Sequence, residues 1–171
     1  MLTIFGGILA KDKLPNNKPP ASLTAYIVNT DESGGEGKHW LLLYCVESSS
    51  AAGKGGGGGI SSLLYFVDPL GKQPYQYNSK FSKFCSKFGK VVTLKHPIQD
   101  SSSQLCGLYV IYFMYYLARG YDLNSIEKRF YKINLMKNDR IVFRSCWSMF
   151  RKCPGATKLL LSLYKSVHYL K

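Results

Sequence analysis

The chain is short of acid. Asp and Glu together number 10 against 23 Lys and Arg, a net charge of +13 over 171 residues. That imbalance implies a polyanionic partner, most simply nucleic acid or else an acidic membrane surface. Histidine is scarce as well, at three widely separated residues, and no C-x-x-C occurs, which argues against a zinc site. Cys45, Cys85, Cys106, Cys146 and Cys153 make an odd set without paired spacing. That excludes a disulfide scaffold and points to a reducing compartment, intracellular rather than secreted. No apolar run is long enough to span a bilayer. The apolar stretch Met1–Ala10 lacks a basic n-region and is not read as a signal peptide. What remains is globular, 46% hydrophobic, and expected to form one monomeric domain over 1–171.

The most informative stretch is PIQDSSSQLCGLYVIYFMYYLARG, Pro97 to Gly120. A polar loop enters a segment with no charge from Cys106 to Leu117. Ser101–Gln104 are read as loop and N-cap, Cys106 as a first-turn residue, and Gly120 as the C-terminal stop. A helix apolar on every face is a buried central helix. A thiol in its first turn meets the positive end of the helix dipole and unpaired backbone N–H groups, which favour thiolate and can stabilise an oxyanion. The competing reading is a small cysteine that only packs.

The remaining chain supplies a frame. Residues 1–23, with Pro15, Pro19 and Pro20, read as irregular. TAYIVNT (24–30) reads as a strand, followed by a Gly-rich turn over 31–38. HWLLLYCVE (39–47) is a continuous apolar run, as for a strand buried on both faces. The Ser/Ala/Gly tract 48–59 reads as a flexible hairpin tip and 60–67 as the return strand. Helical spacing over 78–90 puts Phe81, Phe84, Cys85 and Phe88 on one face, with Asn78 or Ser79 as cap. A strand is expected at 91–95. Helices are expected at about 123–131, at 139–152 with Asn138 or Asp139 as cap, and at 157–170 with Thr157 as cap. The sum is an α+β domain with a small, mostly antiparallel sheet on a buried central helix.

A nucleophilic Cys106 needs a base, an orienting acid and an oxyanion donor. His39 opens a buried strand where a side chain can face a cleft, and it is the best base. His96 is the rival, and His168 carries little weight. Asp68 ends the strand that the hairpin pairs with the one His39 begins, so the two become neighbours. There a carboxylate would orient the imidazole, although Asp-Pro is also an ordinary turn. Gln99, seven residues before Cys106, could complete an oxyanion hole, with Gln104 as the alternative.

On these residues the chain resembles the adenovirus proteinase (adenain) family of cysteine proteases, including those of adenovirus-like transposons and viruses. The matching pieces are AYIVNT (25–30), His39-Trp40, FVDPLG (66–71), Gln99 and CGLYVIYF (106–113). Weaker similarity runs through KNDRIVFRS (137–145) and LLLSLYKSVHYLK (159–171). The resemblance implies a papain-like mechanism on an adenain-type fold. His39 would be the base, Asp68 the acid (Glu in adenain itself), Gln99 the oxyanion donor and Cys106 the nucleophile. It also implies cleavage of viral structural precursor proteins near Gly during virion maturation. The location would be virion and host nucleus, with DNA and a disulfide-linked peptide as activators.

Three departures bear on this. The tip 48–59 lengthens the His–Asp interval, the helix the family places before Phe5 is missing, and the position of the peptide's cysteine partner falls near Val91. A shortened chain is therefore expected, and peptide activation is not. DNA contacts are expected on Lys80, Lys83, Lys87 and Lys90, or on Arg140, Arg144, Arg151 and Lys152. Neither a small-molecule cofactor nor a metal is expected. SUMO-type deconjugases share the same residue order but place Asp before the cysteine, where this chain has Leu105. A basic DNA-binding or capsid-associated protein without activity is the non-enzymatic alternative.

Overall fold

A computed structural model of the chain describes residues 3–19, 23–49 and 60–156, together with 158 and 160. Among the described residues five strands lie in one sheet in sequence order: β1 (Ile4–Ala10), β2 (Leu23–Asn29), β3 (Trp40–Ser49), β4 (Ile60–Val67) and β5 (Lys90–Thr93). The long central pairings, β2 with β3 and β3 with β4, are antiparallel, and the outer pairings of β1 and β5 are parallel. The helices are α1 (Ser79–Cys85), α2 (Cys106–Leu117), α3 (Leu123–Glu127) and α4 (Met136–Phe150). The architecture is α+β. Among the described residues no helix is long and apolar enough to cross a membrane.

The apolar run of β3 has its explanation in two cores. Leu42 and Tyr44 join α2, α3 and α4 on one face of the sheet. Leu41, Leu43 and Cys45 join Phe81, Phe84 and Phe88 of the α1 segment on the other. Helices cover both faces, so Leu41 to Cys45 are all buried, and alternation disappears from the sequence. Helix α2 is the centre of the larger core. Tyr109, Val110 and Phe113 are fully buried, and Phe130 stacks on Phe113 with centroids 5.7 Å apart.

Several sequence expectations are corrected. Residues 1–23 are not irregular throughout, because IFGGILA forms edge strand β1. The Gly6-Gly7 pair hid it. Gly7 has φ of 125° at a register shift, and a Cβ on Gly6 would stand 2.3 Å from the Tyr26 ring. Helix α1 stops at Cys85, because Phe88 turns into the core and the Gly89 N–H donates to Ser62 Oγ. Lys90 therefore belongs to β5. The cap of α1 is Asn78, which accepts from the Lys80 N–H. Helix α3 ends before residue 131, because Phe130 folds back onto α2. Helix α4 starts at Met136, so Asn138 and Asp139 are buried first-turn residues and not caps. Of the expected tip at 48–59, Ser48 and Ser49 belong to β3 instead, because they pair with Ser61 and Ile60, and the remainder lies outside the described residues. Of the expected helix at 157–170 only residues 158 and 160 are described, both helical.

Candidate active site

The hairpin register places the site. Leu42 pairs with Val67, so His39, just before β3, and Asp68, just after β4, meet at one end of the sheet. His39 Nε2 lies 2.6 Å from Asp68 Oδ1. Asp68 is 1% exposed, yet its carboxylate is well solvated by the protein. The Leu70 N–H donates to Oδ1 at 2.9 Å. The Lys72 N–H donates to Oδ2 at 3.1 Å and the Tyr77 hydroxyl at 2.6 Å. These donors hold the carboxylate in one orientation, with Oδ1 toward the imidazole.

The Asp-Pro-Leu-Gly turn is locked from behind. Gly71 donates to the Asp68 carbonyl at 2.8 Å and has φ of 74°. A Cβ there would come within 2.7 Å of the Pro97 nitrogen, so only glycine lets the 96–97 backbone approach. The Ile98 and Gln99 N–H groups both donate to the Pro69 carbonyl. The loop leading to Cys106 is thereby tied to the turn that carries Asp68.

Cys106 opens α2 and is 9% exposed. The N-cap is Leu105, without a side-chain cap, which differs from the expected polar cap at 101–104. Among the described residues no backbone carbonyl accepts from the N–H of Cys106 or Gly107. An uncapped helix start leaves donors and the positive dipole end beside the thiol. The Cys106 side chain lies close enough to the imidazole to interact with it, beside the hydrogen bond to Asp68. With Nε2 engaged by Asp68, Nδ1 is the ring nitrogen left for the sulfur. Burial pushes the His39 pKa down, but hydrogen bonds and charges from Asp68 and Cys106 outweigh it and raise it from 6.5 to about 9. The imidazolium is thus the favoured form near neutrality, and it is the counterion a thiolate requires. Burial and the charges of Asp68 and Cys106 push the Tyr77 hydroxyl up, so it stays a donor.

Gln99 is 2% exposed and donates through Nε2 to the Ser103 carbonyl at 2.8 Å. Its Oε1 has no partner among the described residues. The amide carries a second N–H, which is the one available for an oxyanion. His96 is exposed and enters no such pair; its N–H donates to Glu127 Oε1. Gln104 is exposed, and His168 lies outside the described residues. Burial raises the Cys45, Cys85 and Cys146 thiols to about 12, so they are inert as nucleophiles near neutrality. Among the described residues no cluster of His, Cys, Asp or Glu could hold a metal ion.

The basic residues do not form one surface. Lys80 and Lys83 are exposed on α1, on one side of the sheet, and Arg140 and Arg144 are exposed on α4, on the other. Lys90 is exposed at the start of β5. Lys87 is committed elsewhere: its Nζ donates to the Pro15 carbonyl at 2.7 Å and sits 5.0 Å from the Phe84 ring centroid.

Sequence reasoning missed Tyr77, nine residues after Asp68, and the pair Asn138-Asp139. The Tyr77 contact has no local signal, because it depends on how the chain after the turn folds back.

No protein-family model matches the chain, and no curated protein matches it in sequence. Crystal structures of ASFV pS273R protease are similar to it. One aligns with 68% of this chain and 40% of its own at 14% identity and a TM-score of 0.46. Its selenomethionine form aligns with 72% and 44% at 18% identity and a TM-score of 0.40. The chain spans less than half the length of that protein.

Proposed function

We infer that the chain is a cysteine peptidase with Cys106 as nucleophile, His39 as base and acid, Asp68 as orienting group and Gln99 as oxyanion donor. The observation that carries the reading is the partly buried His39, 2.6 Å from Asp68 and electrostatically coupled to Cys106, at an uncapped helix start. In this mechanism the Cys106 thiolate attacks the scissile carbonyl carbon. The oxyanion is met by the Cys106 N–H and the second Gln99 N–H. The His39 imidazolium protonates the leaving amine as the C–N bond breaks, leaving a thioester. Neutral His39 then takes a proton from water, which attacks the thioester, and the proton passes to the departing Cys106 sulfur.

The adenain-like spacing, with Gln99 seven residues before Cys106 and Leu105 in front of it, supports cleavage of viral structural precursors near Gly during virion maturation. The excess of 23 basic over 10 acidic residues supports DNA as an activator. Hydrolysis of a fluorogenic peptide with Gly at the cut, with and without double-stranded DNA, tests both points. Turnover that Cys106→Ala abolishes is the expected result. Turnover surviving in that variant would sink the assignment. Cleavage of a ubiquitin-like fusion in preference to the peptide would move the substrate to the deconjugase class. DNA binding without any turnover would leave the non-enzymatic reading.

A further inference from the structure

Helix α4 contributes nothing to the four proposed catalytic groups, yet its first turn buries two polar side chains beside them. Asn138 is fully buried, and Asp139 is 2% exposed. Asn138 Nδ2 donates to the Ile98 carbonyl at 2.7 Å and to the Tyr131 carbonyl at 2.9 Å, while its Oδ1 accepts from the Tyr131 N–H at 2.8 Å. The Asp139 carboxyl accepts from the Tyr109 hydroxyl at 2.8 Å and interacts with the Ser103 side chain beside it. Among the described residues no lysine, arginine or histidine forms an ion pair with it. A buried carboxyl without a cation is costly, and burial pushes its pKa up. A packing role would be served as well by an apolar residue.

The contacts of the pair bracket Gln99. Asn138 holds the carbonyl of the residue before it. Asp139 interacts with Ser103, whose own carbonyl takes the first Gln99 Nε2 hydrogen. Tyr109 is one helical turn beyond Cys106 on α2, so the same carboxyl also sets the loop against the nucleophile's helix. The geometry points to Asn138 and Asp139 as positioning residues for the reaction proposed above: together they aim the second Gln99 N–H at the oxyanion formed on Cys106. This rests on the peptidase reading and adds to it a device on an element that holds no reacting atom.

The test compares Asn138→Ala, Asp139→Ala and Asp139→Asn in a Cys153→Ser background, with two readouts on each. The first is peptide hydrolysis. A misaimed donor is expected to lower kcat by about tenfold to a hundredfold with KM unchanged. The second is alkylation of Cys106 by iodoacetamide, a displacement at carbon that forms no oxyanion and so should keep the wild-type rate. Asp139→Asn retains an acceptor for Tyr109 and Ser103 and should restore kcat to within about threefold of wild type. Equal losses in hydrolysis and alkylation would overturn the proposal, since they mean collapse of the whole site. So would an unchanged kcat in both alanine variants. If Asp139→Ala does not fold, Tyr109→Phe, which removes one hydroxyl, replaces it with the same expected split. Wild-type protein without turnover would sink the peptidase reading instead. Hydrogen exchange at the Ile98 and Gln99 amides then decides the inference: faster exchange in the alanine variants supports the clamp, and unchanged exchange refutes it.

Discussion

Asp68→Asn keeps the shape of the side chain and removes its charge. The wild-type carboxylate accepts from His39, the Leu70 and Lys72 N–H groups and the Tyr77 hydroxyl. An amide cannot serve all four. With its oxygen toward His39 and Leu70, its NH2 faces the Lys72 N–H, and only the Tyr77 hydroxyl can rotate to accept. One buried donor left unmet costs about 1–3 kcal/mol at any pH. A second loss depends on pH. Raising His39 from 6.5 to about 9 is worth roughly 3 kcal/mol at 1.36 kcal/mol per unit. Cys106 supplies part of that and solvent screens the ring's open edge, leaving about 2 kcal/mol to Asp68. The folded pKa lies above the unfolded one. This stabilisation is therefore complete below the unfolded value of 6.5 and disappears as pH rises through about 9. Urea unfolding of the two proteins should show a stability gap of about 3–5 kcal/mol near pH ~6 that narrows to about 1–3 kcal/mol near pH ~10. A gap that stays constant across this range would refute the charge coupling of His39 and Asp68.

Gly71→Ala should destabilise by about 2–4 kcal/mol, seen as a lower Tm, because it strains a positive φ and drives a Cβ into the Pro97 backbone. An alanine variant as stable as wild type would show that the 96–97 segment can retreat. If DNA stimulates turnover, the effect should fade as salt rises from about 50 to 200 mM. Charge reversal should also distinguish the two basic surfaces, since they lie on opposite sides of the sheet. Either Lys80→Glu with Lys83→Glu or Arg140→Glu with Arg144→Glu should abolish stimulation in a DNA-titrated assay, and loss in both would mean a nonspecific field.

The parts of this fold legible in the sequence are those specified by contiguous chain. The central strands show as β-branched and apolar runs, and α2 shows as a charge-free segment stopped at Gly120, whose φ is 82°. The pairing of His39 with Asp68 was legible because an antiparallel hairpin fixes which ends meet. Strand β1 was not, because its glycines break the alternation and its large residues Phe5 and Ile8 stay more than half exposed at the edge. Asn138 and Asp139 carry a cap signature, but tertiary packing moved the helix start three residues upstream, from the expected 139 to Met136, and buried them. Lys87 sits in a basic stripe by spacing, and only the path of the 11–19 segment shows that its charge is taken.

The hairpin has a consequence for how such sites are found. His39 and Asp68 are registered from the open end of β3 and β4, where Leu42 faces Val67. The chain that joins Ser49 to Ile60 enters and leaves at the opposite end. The number of residues between base and acid is thus a free variable, since lengthening the joining segment moves neither group. A search that fixes this interval would discard chains whose chemistry is intact. One that fixes the strand pairing, and lets the interval float, would retain them.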